Sequence, residues 1–416
     1  MAPAGAAAVL HQYGTGMKGK GLTEGKRVLN KPRGLEVLPD GSLLVTDYGN
    51  HCVVKFAPGN DARGKVVAGE EGKQLIPVDP MKDLDKPMGK PEGLGILLRQ
   101  PNDVCTDGAD GILVIDSYEG KVQRFNLADR SVLARVVAPD PATAPNSGSV
   151  PEAVKLPRSL FRCDDGSLVV TDTWSHRILR FPPPGEGEEA FKAPETLAGK
   201  ANSTSSDADS LAFPSSCVFA HDGALLVADT NNHRVQRFSQ GTAAEESAGP
   251  RLGTTLIGSA KGESGVALNR LCMPTGLAIE KDGSLLVADR GNSRVLRFRP
   301  GTKEGEIVCG PDLVLAPWAI AVSSSGEIFV SDERCACVLR LDSAGARGPA
   351  DALPRTPARP APKARPQSAA EATPAAEVAA AGAETASAAV AEAPATTPAA
   401  APAAKVAWSP DASELD

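Results

Sequence analysis

Aromatic residues are scarce in this chain, at 4% of 416 residues, although hydrophobic residues as a whole make up 42%. The sequence can therefore fill a sizeable core, which must consist mainly of Val, Leu, Ile and Ala. Long apolar runs are missing too, since none approaches the roughly 18 residues of a transmembrane helix. There is no basic excess, because 44 Lys and Arg face 51 Asp and Glu for a net charge of −7. That balance excludes bulk nucleic-acid binding of the histone type and leaves only a local patch for such binding.

Paired cysteine motifs are also absent. The eight cysteines are scattered without a Cys-x-x-Cys pair, which indicates free thiols in a reducing compartment rather than a disulfide framework or a zinc site. The first ten residues are rich in Ala and lack the basic segment and apolar run of a signal peptide. We therefore expect a cytoplasmic monomer without a membrane partner.

The composition changes sharply near residue 343. Of the 73 residues in 344–416, 29 are Ala, and Trp408 is the only aromatic residue among them. Such a segment cannot bury enough apolar surface to offset its ordering entropy. The sequence therefore predicts a folded domain over 1–343 and a disordered low-complexity tail over 344–416. Whether that tail is only a solvated extension or also a docking segment stays open.

The folded part is a six-fold repeat. Each copy has an Asp-Gly or Ser-Gly turn, an apolar run ending in Asp, a polar turn and a strand that ends, in most copies, in Arg-Phe. A representative copy is DGALLVADTNNHRVQRF at 222–238. The anchor aspartates that end the apolar runs are Asp47, Asp116, Asp172, Asp229, Asp289 and Asp332. Their spacing of 43 to 69 residues fits a four-stranded unit with loops of variable length.

Each copy is interpreted as a series of β-strands. The Asp-Gly pair favours a tight hairpin turn, and the consecutive apolar residues after it predict a strand that is covered on both faces. That situation is typical of a propeller blade packed between two neighbours. No fourth strand follows the last copy, whereas 8–14 is a spare apolar segment. We therefore expect the segment 8–14 to complete the last blade and to close the ring, which removes the exposed sheet edges.

The repeat resembles that of the NHL family, whose consensus contains Asp-Gly followed by Val-Ala-Asp-x-x-Asn-His-Arg. The closest copy has Asp229, Asn232, His233 and Arg234, while the second and sixth copies depart at Gly120 and Ala336. The resemblance implies an all-β, six-bladed β-propeller. It also implies a recognition module, as found in ubiquitin ligases with a RING and in membrane kinases. We expect no RING or kinase module in this chain, so any catalytic part would belong to another molecule.

Residues that the repeat itself demands are interpreted as structural. His51, His176 and His233 stand at one repeat position, and we expect them to form hydrogen bonds within their blades. The six anchor aspartates are expected to accept hydrogen bonds from the turns that follow them, rather than to form a metal ring. A basic residue near the end of each copy is likewise interpreted as scaffold or as part of a solvated face: Lys55, Arg124, Arg180, Arg237, Arg297 and Arg340.

Motifs for catalysis are missing. The sequence has no Gly-x-Ser-x-Gly, no phosphate-binding loop and no His-Glu-x-x-His. In calcium-dependent propeller lactonases the ligands lie at the channel mouth, and the comparable positions here are Arg33, Asn102, Arg158, Ser215, Thr275 and Trp318. Asp103 is the single carboxylate beside them, which is too few oxygen ligands for a hard cation. We therefore expect no metal and no cofactor, although a hydrolase or lyase with a metal at the channel mouth stays an alternative.

The positions that the repeat leaves free indicate a binding face. Entry loops and polar turns of a propeller share one face, and this chain places there Trp318, Tyr48, Arg33, Tyr118, Trp174, Arg158, Asn102 and Asp103. A long neighbouring loop adds Lys82, Lys86 and Lys90. Aromatic and Arg side chains are the usual anchors of interfaces, although turn aromatics can also simply cover their neighbours. We expect a non-enzymatic binding platform for a protein or peptide, with single-stranded RNA as the alternative ligand.

Overall fold

The computed structural model of the chain describes residues 9–15, 22–23, 26–59, 62–73, 97–108, 111–137, 154–185, 191–239 and 251–342. Those residues form an all-β, six-bladed propeller, so the predicted fold class is confirmed. The domain boundary predicted at 343, the tail 344–416 and the three lysines Lys82, Lys86 and Lys90 lie outside the described residues.

Six antiparallel sheets of four strands make up the ring. The chain opens with β1 (Val9–Tyr13) and a short hairpin of β2 (Leu22–Thr23) and β3 (Lys26–Arg27). Blade one is β4 (Pro32–Val37), β5 (Leu43–Asp47), β6 (Cys52–Phe56) and β7 (Lys65–Gly69). Blade two is β8 (Pro101–Thr106), β9 (Gly111–Asp116), β10 (Lys121–Asn126) and β11 (Val132–Val137). Blade three is β12 (Ser159–Arg162), β13 (Leu168–Asp172), β14 (Arg177–Phe181) and β15 (Glu195–Gly199).

The other half of the ring repeats this arrangement. Blade four is β16 (Ser216–Phe219), β17 (Leu225–Asp229), β18 (Arg234–Phe238) and β19 (Thr254–Gly258). Blade five is β20 (Pro274–Ile279), β21 (Leu285–Asp289), β22 (Arg294–Phe298) and β23 (Glu306–Cys309). Blade six is β24 (Pro317–Val322), β25 (Ile328–Asp332), β26 (Cys337–Leu341) and the N-terminal β1. The first strands of neighbouring blades contact one another around the ring, so they surround the central channel.

The N-terminal strand is the outer strand of the last blade. It runs antiparallel to β26, with Val9 opposite Leu341 and Tyr13 opposite Val338. Tyr13 is buried, and its ring lies 5.1 Å from that of Phe56 in blade one. The same strand therefore supplies backbone pairing to blade six and side-chain packing between blades six and one.

The second strand of every blade is buried over its whole length. Such strands are apolar on both faces because each blade is packed between two neighbours. The six hydrophobic clusters follow from this arrangement, since each one combines residues of two adjacent blades. The core of the molecule is therefore a ring of interfaces between blades.

The predicted hairpin turns are present, with one shift. Gly41, Gly223 and Gly283 have φ values of 78°, 79° and 83°, which a residue with a Cβ rarely adopts. In blade two the sequence predicted the turn at Asp110-Gly111. Gly111 instead begins β9, and the positive φ of 80° belongs to Gly108. Two Asp-Gly pairs stand in this part of the sequence, at 107–108 and 110–111, and residues 109–110 lie outside the described residues.

The anchor aspartates tie each blade to the segment that enters it. Asp229 accepts a hydrogen bond from the Ala212 amide at 2.7 Å, and the equivalent bond occurs in all six blades. The predicted donors were the amides of the following turn, and among the hydrogen bonds of the described residues such amides bind the anchor in blade six, at Asp332. The entering segment takes precedence because Asp229 lies at the end of β17, beside the start of the first strand.

The Asn and Arg residues of the turn motif complete this network. Asn232 donates to Asp229 at 2.9 Å and Arg234 donates to it at 2.8 Å. Arg234 is buried, and its remaining donors reach the carbonyls of Ser206, Ala260, Asp207 and Ser210. A buried guanidinium is tolerated here because its charge is paired and its N–H groups are satisfied.

The histidines of the repeat connect neighbouring blades, whereas we had expected bonds within one blade. The Nδ1 atoms of His176 and His233 accept hydrogen bonds from the amides of Phe213 and Met273, which enter the next blade. His51 also reaches the segment that enters the next blade, but its Nδ1–H donates to the Arg99 carbonyl, at 2.6 Å. All three adopt a left-handed backbone conformation, which projects the ring out of its own blade. Gly120 and Ala336 share that conformation, with φ of 60° and 51°, which explains how the departing blades keep the turn.

The basic row forms ion pairs on the face that carries the hairpin turns, called the hairpin face below. Each side chain binds an acid of its own blade, for example Lys55 with Asp40 and Arg297 with Glu280. The other four blades repeat this pair. These six basic residues therefore have a structural role within their own blades.

Candidate binding site on the loop face

The opposite face, called the loop face, carries the entries to the first strands and the turns between the second and third strands. The first residue after each entry proline lies at the channel mouth. These six positions, called the inner ring, are Arg33, Asn102, Arg158, Ser215, Thr275 and Trp318. Outside them the turns add further side chains, so the loop face has an inner and an outer part.

Trp318 is the centre of the inner part. The guanidinium carbon of Arg33 lies 4.1 Å from the centroid of the Trp318 ring and 3.5 Å from that of Tyr48. Arg33 is thus held between two aromatic rings of blades six and one. Cation–π contacts of this kind contribute about 1 kcal/mol or more when they are shielded from water.

A single carboxylate serves two arginines beside this stack. Glu333 accepts a hydrogen bond from Arg33 at 3.0 Å and from Arg290 at 3.2 Å. Burial alone would raise the pKa of Glu333, but the charges of Arg33 and Arg290 outweigh it and lower the pKa to about 2. Glu333 is therefore ionised throughout the physiological range, and the guanidinium charge still exceeds the carboxylate charge.

Arg158 approaches the same ring from across the channel. Its guanidinium carbon lies 5.3 Å from the Trp318 centroid, although Arg158 belongs to blade three and Trp318 to blade six. The Arg158 Nη1 atom donates to Ser215 Oγ at 3.3 Å. Arg290 lies 5.4 Å from the same centroid, so three guanidinium groups surround one indole.

The inner residues are less exposed than a surface anchor would be. Arg33 and Trp318 expose only 6% and 7% of their area, and Asn102 exposes 2%. These three side chains are therefore largely enclosed by their neighbours, and their part in binding stays a prediction. Arg33 is buried because the stack and the Glu333 pair enclose it, and Trp318 because the arginines cover its faces.

Asp103 takes part in contacts between blades. Its carboxylate accepts hydrogen bonds from the amides of Leu160 and Val104, both at 3.0 Å. Burial raises the pKa of Asp103 to about 7, and these hydrogen bonds offset only part of that shift. A carboxylate held by the neighbouring blade faces the wall of the channel rather than an approaching ligand.

The outer part of the loop face carries exposed apolar side chains on blades two to four. Tyr118, Leu156 and Trp174 expose 47%, 38% and 42% of their area. Phe213 continues the row, since its ring centroid lies 5.3 Å from that of Trp174 in an edge-on contact. We call Tyr118, Leu156, Trp174 and Phe213 the apolar strip.

Backbone contacts join the members of the apolar strip. The Trp174 amide donates to the Lys155 carbonyl at 3.1 Å, beside Leu156. The Ser117 hydroxyl donates to the Pro157 carbonyl, which links the turn of Tyr118 to the same entry segment. Arg99 stacks on Tyr118 with its guanidinium carbon 3.0 Å from the ring centroid. The strip is therefore one continuous surface with a cationic group against one end.

Two members of the strip have unusual backbone conformations. Leu156 and Phe213 precede prolines and have φ of 44° and 47°. A bulky residue with positive φ is uncommon, and such strain persists only where the surroundings fix it. Lys31 and Met273, which precede the entry prolines of blades one and five, share the conformation, so it belongs to the repeat. It leaves Leu156 exposed, while the Phe213 ring packs on Trp174 and His176.

The structure thus divides the predicted binding face. It brings Trp318, Arg33, Tyr48 and Arg158 together in the inner part and places Tyr118 and Trp174 in the outer part. The sequence reasoning missed Arg290 and Glu333, which directly follow anchor aspartates as Tyr48 does. Charged residues at that position, where three other blades have Ser or Thr, were the available signal.

A metal-binding cluster and a membrane-spanning helix are both missing from the described ranges. No group of three or more His, Cys, Asp or Glu side chains there is arranged to hold a metal ion. Within the same ranges, no helix has the length and apolar character needed to cross a membrane.

The closed ring of six four-stranded blades defines a six-bladed β-propeller. The model of the NHL repeat matches residues 29–56, 211–238 and 271–298, in blades one, four and five. These are the blades in which an Asn three residues after the anchor aspartate donates to it. The chain is an NHL-repeat propeller. A comparison with curated proteins finds no relative by sequence.

Solved structures share the architecture at low identity. A protein of unknown function from Bacteroides thetaiotaomicron is 11% identical with a TM-score of 0.54, over 80% of this chain and 75% of that one. A gluconolactonase from Xanthomonas campestris is 14% identical with a TM-score of 0.50, over 75% and 86% of the two chains. At these identities the likeness extends to the fold, and the set of similar folds includes enzymes.

Proposed function

We propose that this protein is a non-enzymatic binding platform that recognises a protein or peptide partner through its loop face. The observation that carries the proposal is the apolar strip. Tyr118, Leu156 and Trp174 are exposed on adjacent turns of a chain in which aromatic residues make up only 4%. Exposed apolar surface of this kind, with a polar surround, is typical of an interaction site.

The contrast between the two faces supports this assignment. On the hairpin face the basic residues are paired with acids of their own blades, as Arg297 is with Glu280. On the loop face Arg33 pairs with Glu333 of the neighbouring blade and also stacks on Tyr48, and Arg99 stacks on the exposed ring of Tyr118. Arg and aromatic side chains are the residues that most often anchor a partner, and partner binding would remove water from Tyr118 and Trp174, whereas Arg33 is already buried.

The test uses peptides selected from a displayed random library against the full chain. The Trp174→Ala/Tyr118→Ala double variant should weaken their binding at least tenfold, because anchor residues contribute about 2 kcal/mol or more each. Leu133→Ala is the matched control, since Leu133 is 46% exposed on the outer strand of blade two, away from the loop face. It should leave binding unchanged.

Three results would overturn the proposal. One is that no peptide is enriched, and another is that binding survives the double variant but fails with the control. The third is a result that indicates another class of function. Tight binding of oligouridine with a steep salt dependence would indicate an RNA-binding propeller, and calcium-dependent hydrolysis of gluconolactone would indicate an enzyme.

A further inference from the structure

We propose that the channel mouth binds a carboxylate of the partner, between Arg158 and Arg290 and beside the Trp318 ring. This inference rests on the proposed function and names its chemistry. The apolar strip would hold apolar side chains of a peptide, while the channel mouth would receive an acidic side chain or the C-terminal carboxylate. Either source supplies the same planar group, and guanidinium groups bind it in a bidentate manner.

The charge at the channel mouth favours an anion. Arg33 and Arg290 share the one carboxylate of Glu333, so this trio keeps a surplus positive charge. Arg158 brings a third guanidinium to the same indole. The two shared arginines hold the pKa of Glu333 at about 2, so the carboxylate does not lose its charge when the pH falls moderately.

Two hydrogen-bond donors, on Arg33 and Arg290, also favour a bound carboxylate. Within the part of the chain that the structure describes, the Nε–H groups of Arg33 and Arg290 are buried and have no acceptor. A buried donor without a partner costs about 1–3 kcal/mol. An incoming carboxylate oxygen is an acceptor that could relieve this cost.

The inner ring and the apolar strip are adjacent along the chain and in space. Leu156 belongs to the strip, and Arg158 of the inner ring follows it after Pro157. A peptide that crosses blades two and three on the strip would therefore lie beside the segment that carries Arg158. A few residues of extended chain, at about 3.3 Å each, reach from one to the other.

A single bound carboxylate fits better than a nucleic-acid backbone. RNA binding needs cations distributed along a track of phosphates together with aromatic rings for the bases. Here the guanidinium groups converge on one indole, and the whole chain has a net charge of −7. The arrangement suits one buried anionic group rather than a chain of phosphates.

The test compares forms of the selected peptides. Those peptides should be enriched in Asp, Glu or a free C-terminal carboxylate. Synthetic versions with Asn or Gln in place of the acids, and versions with an amidated C-terminus, identify the source. The neutralised version should bind the native chain at least tenfold more weakly, and either Arg158→Gln or Arg290→Gln should remove that difference. Arg237→Gln is the control, because Arg237 pairs with Asp222 on the hairpin face.

The outcomes separate the two proposals. If selected peptides depend on Trp174 but show no acid preference and bind Arg158→Gln and Arg290→Gln normally, the carboxylate site is wrong and the platform stands. Folding of each variant is checked by its unfolding transition. Should a variant fail to fold, the charge reversal Arg158→Glu with a Lys-containing peptide decides the matter. Recovered binding supports the site, and no recovery contradicts it. Absence of any enriched peptide overturns both proposals.

Discussion

At the scale of single residues, the hydrogen bonds of each anchor aspartate determine how well a substitution of that aspartate is tolerated. Asp229 is held by Asn232 and by the buried Arg234. In blade one the Arg position is occupied by Cys52, and Asp47 keeps only the Asn50 contact and the Asn30 amide bond among its described hydrogen bonds. The same aspartate therefore has two electrostatic environments in one molecule.

Asp229→Asn should destabilise the fold by about 3 kcal/mol, because it leaves the Arg234 guanidinium buried without its counter-charge. Asp47→Asn should cost about 1 kcal/mol or less, since no buried arginine loses a directly bonded carboxylate. Urea unfolding at pH 7.5 measures both. Equal losses for the two variants would show that the Arg pair contributes nothing.

The pH dependence of stability should distinguish Asp47. Burial raises its pKa to about 7, and the hydrogen bonds from Asn30 and Asn50 offset only part of that shift. The unfolded carboxyl releases its proton near pH 4, so the native state binds the proton more tightly between about pH 4 and 7. The Asp47 contribution to the free energy of unfolding must therefore fall as the pH rises through that range.

Asp47→Asn removes this dependence. The free energy of unfolding of the variant, relative to the native chain, should shift in favour of the variant between pH 5 and pH 8. The difference between the two proteins isolates Asp47 from other acids with a raised pKa, such as Glu36 and Asp103. Parallel pH profiles would contradict the raised pKa.

At the scale of elements, the strand β1 determines whether the ring is closed. It pairs along β26, and Tyr13 also donates to the Gly59 carbonyl at 2.9 Å in blade one. An unpaired β26 would expose a sheet edge. The stability of the ring should therefore depend on a segment that is distant in sequence from its partner.

Tyr13→Ala should lower the free energy of unfolding by about 3–5 kcal/mol, the range for truncating a buried aromatic residue. Tyr13→Phe keeps the packing on Phe56 and loses only the hydroxyl bond, at a cost of about 1 kcal/mol. Thermal unfolding of both variants tests this ranking. A Tyr13→Ala protein as stable as the native chain would show that the strand is dispensable.

The elements were largely predictable from the sequence, because turn and strand signals are local. The Asp-Gly turns and the apolar runs after them identify the second strands, such as Leu225–Asp229, through period and composition. Contacts between blades were not predictable. The hydrogen bond from the Met273 amide to His233 depends on a left-handed backbone at His233 and on the geometry of the ring of blades. No short sequence pattern encodes these features.

The candidate site was predictable only as a face. Aromatic residues outside the repeat pattern, such as Trp174 and Trp318, marked the loop face. The burial of Trp318 could not be predicted from the sequence, because it depends on which arginines stack on its ring. Arg290 reaches the Trp318 indole from blade five, and its role follows from the closed ring rather than from local spacing.

At the scale of the whole molecule, the two faces differ in how they use charge. The hairpin face repeats one ion pair six times, and exposed pairs of this type contribute little each. The loop face concentrates arginines on aromatic rings around one channel mouth. A symmetrical scaffold thus carries one asymmetric surface, and that surface is where we place the function.

Amide hydrogen exchange of the full chain, with and without a peptide selected from the displayed library, tests this placement most directly. The account predicts added protection in segments 117–120, 154–158 and 173–176 of the loop face, and none in the hairpin turns at 220–224 and 281–284. Protection of those hairpin turns with an unchanged loop face would contradict it.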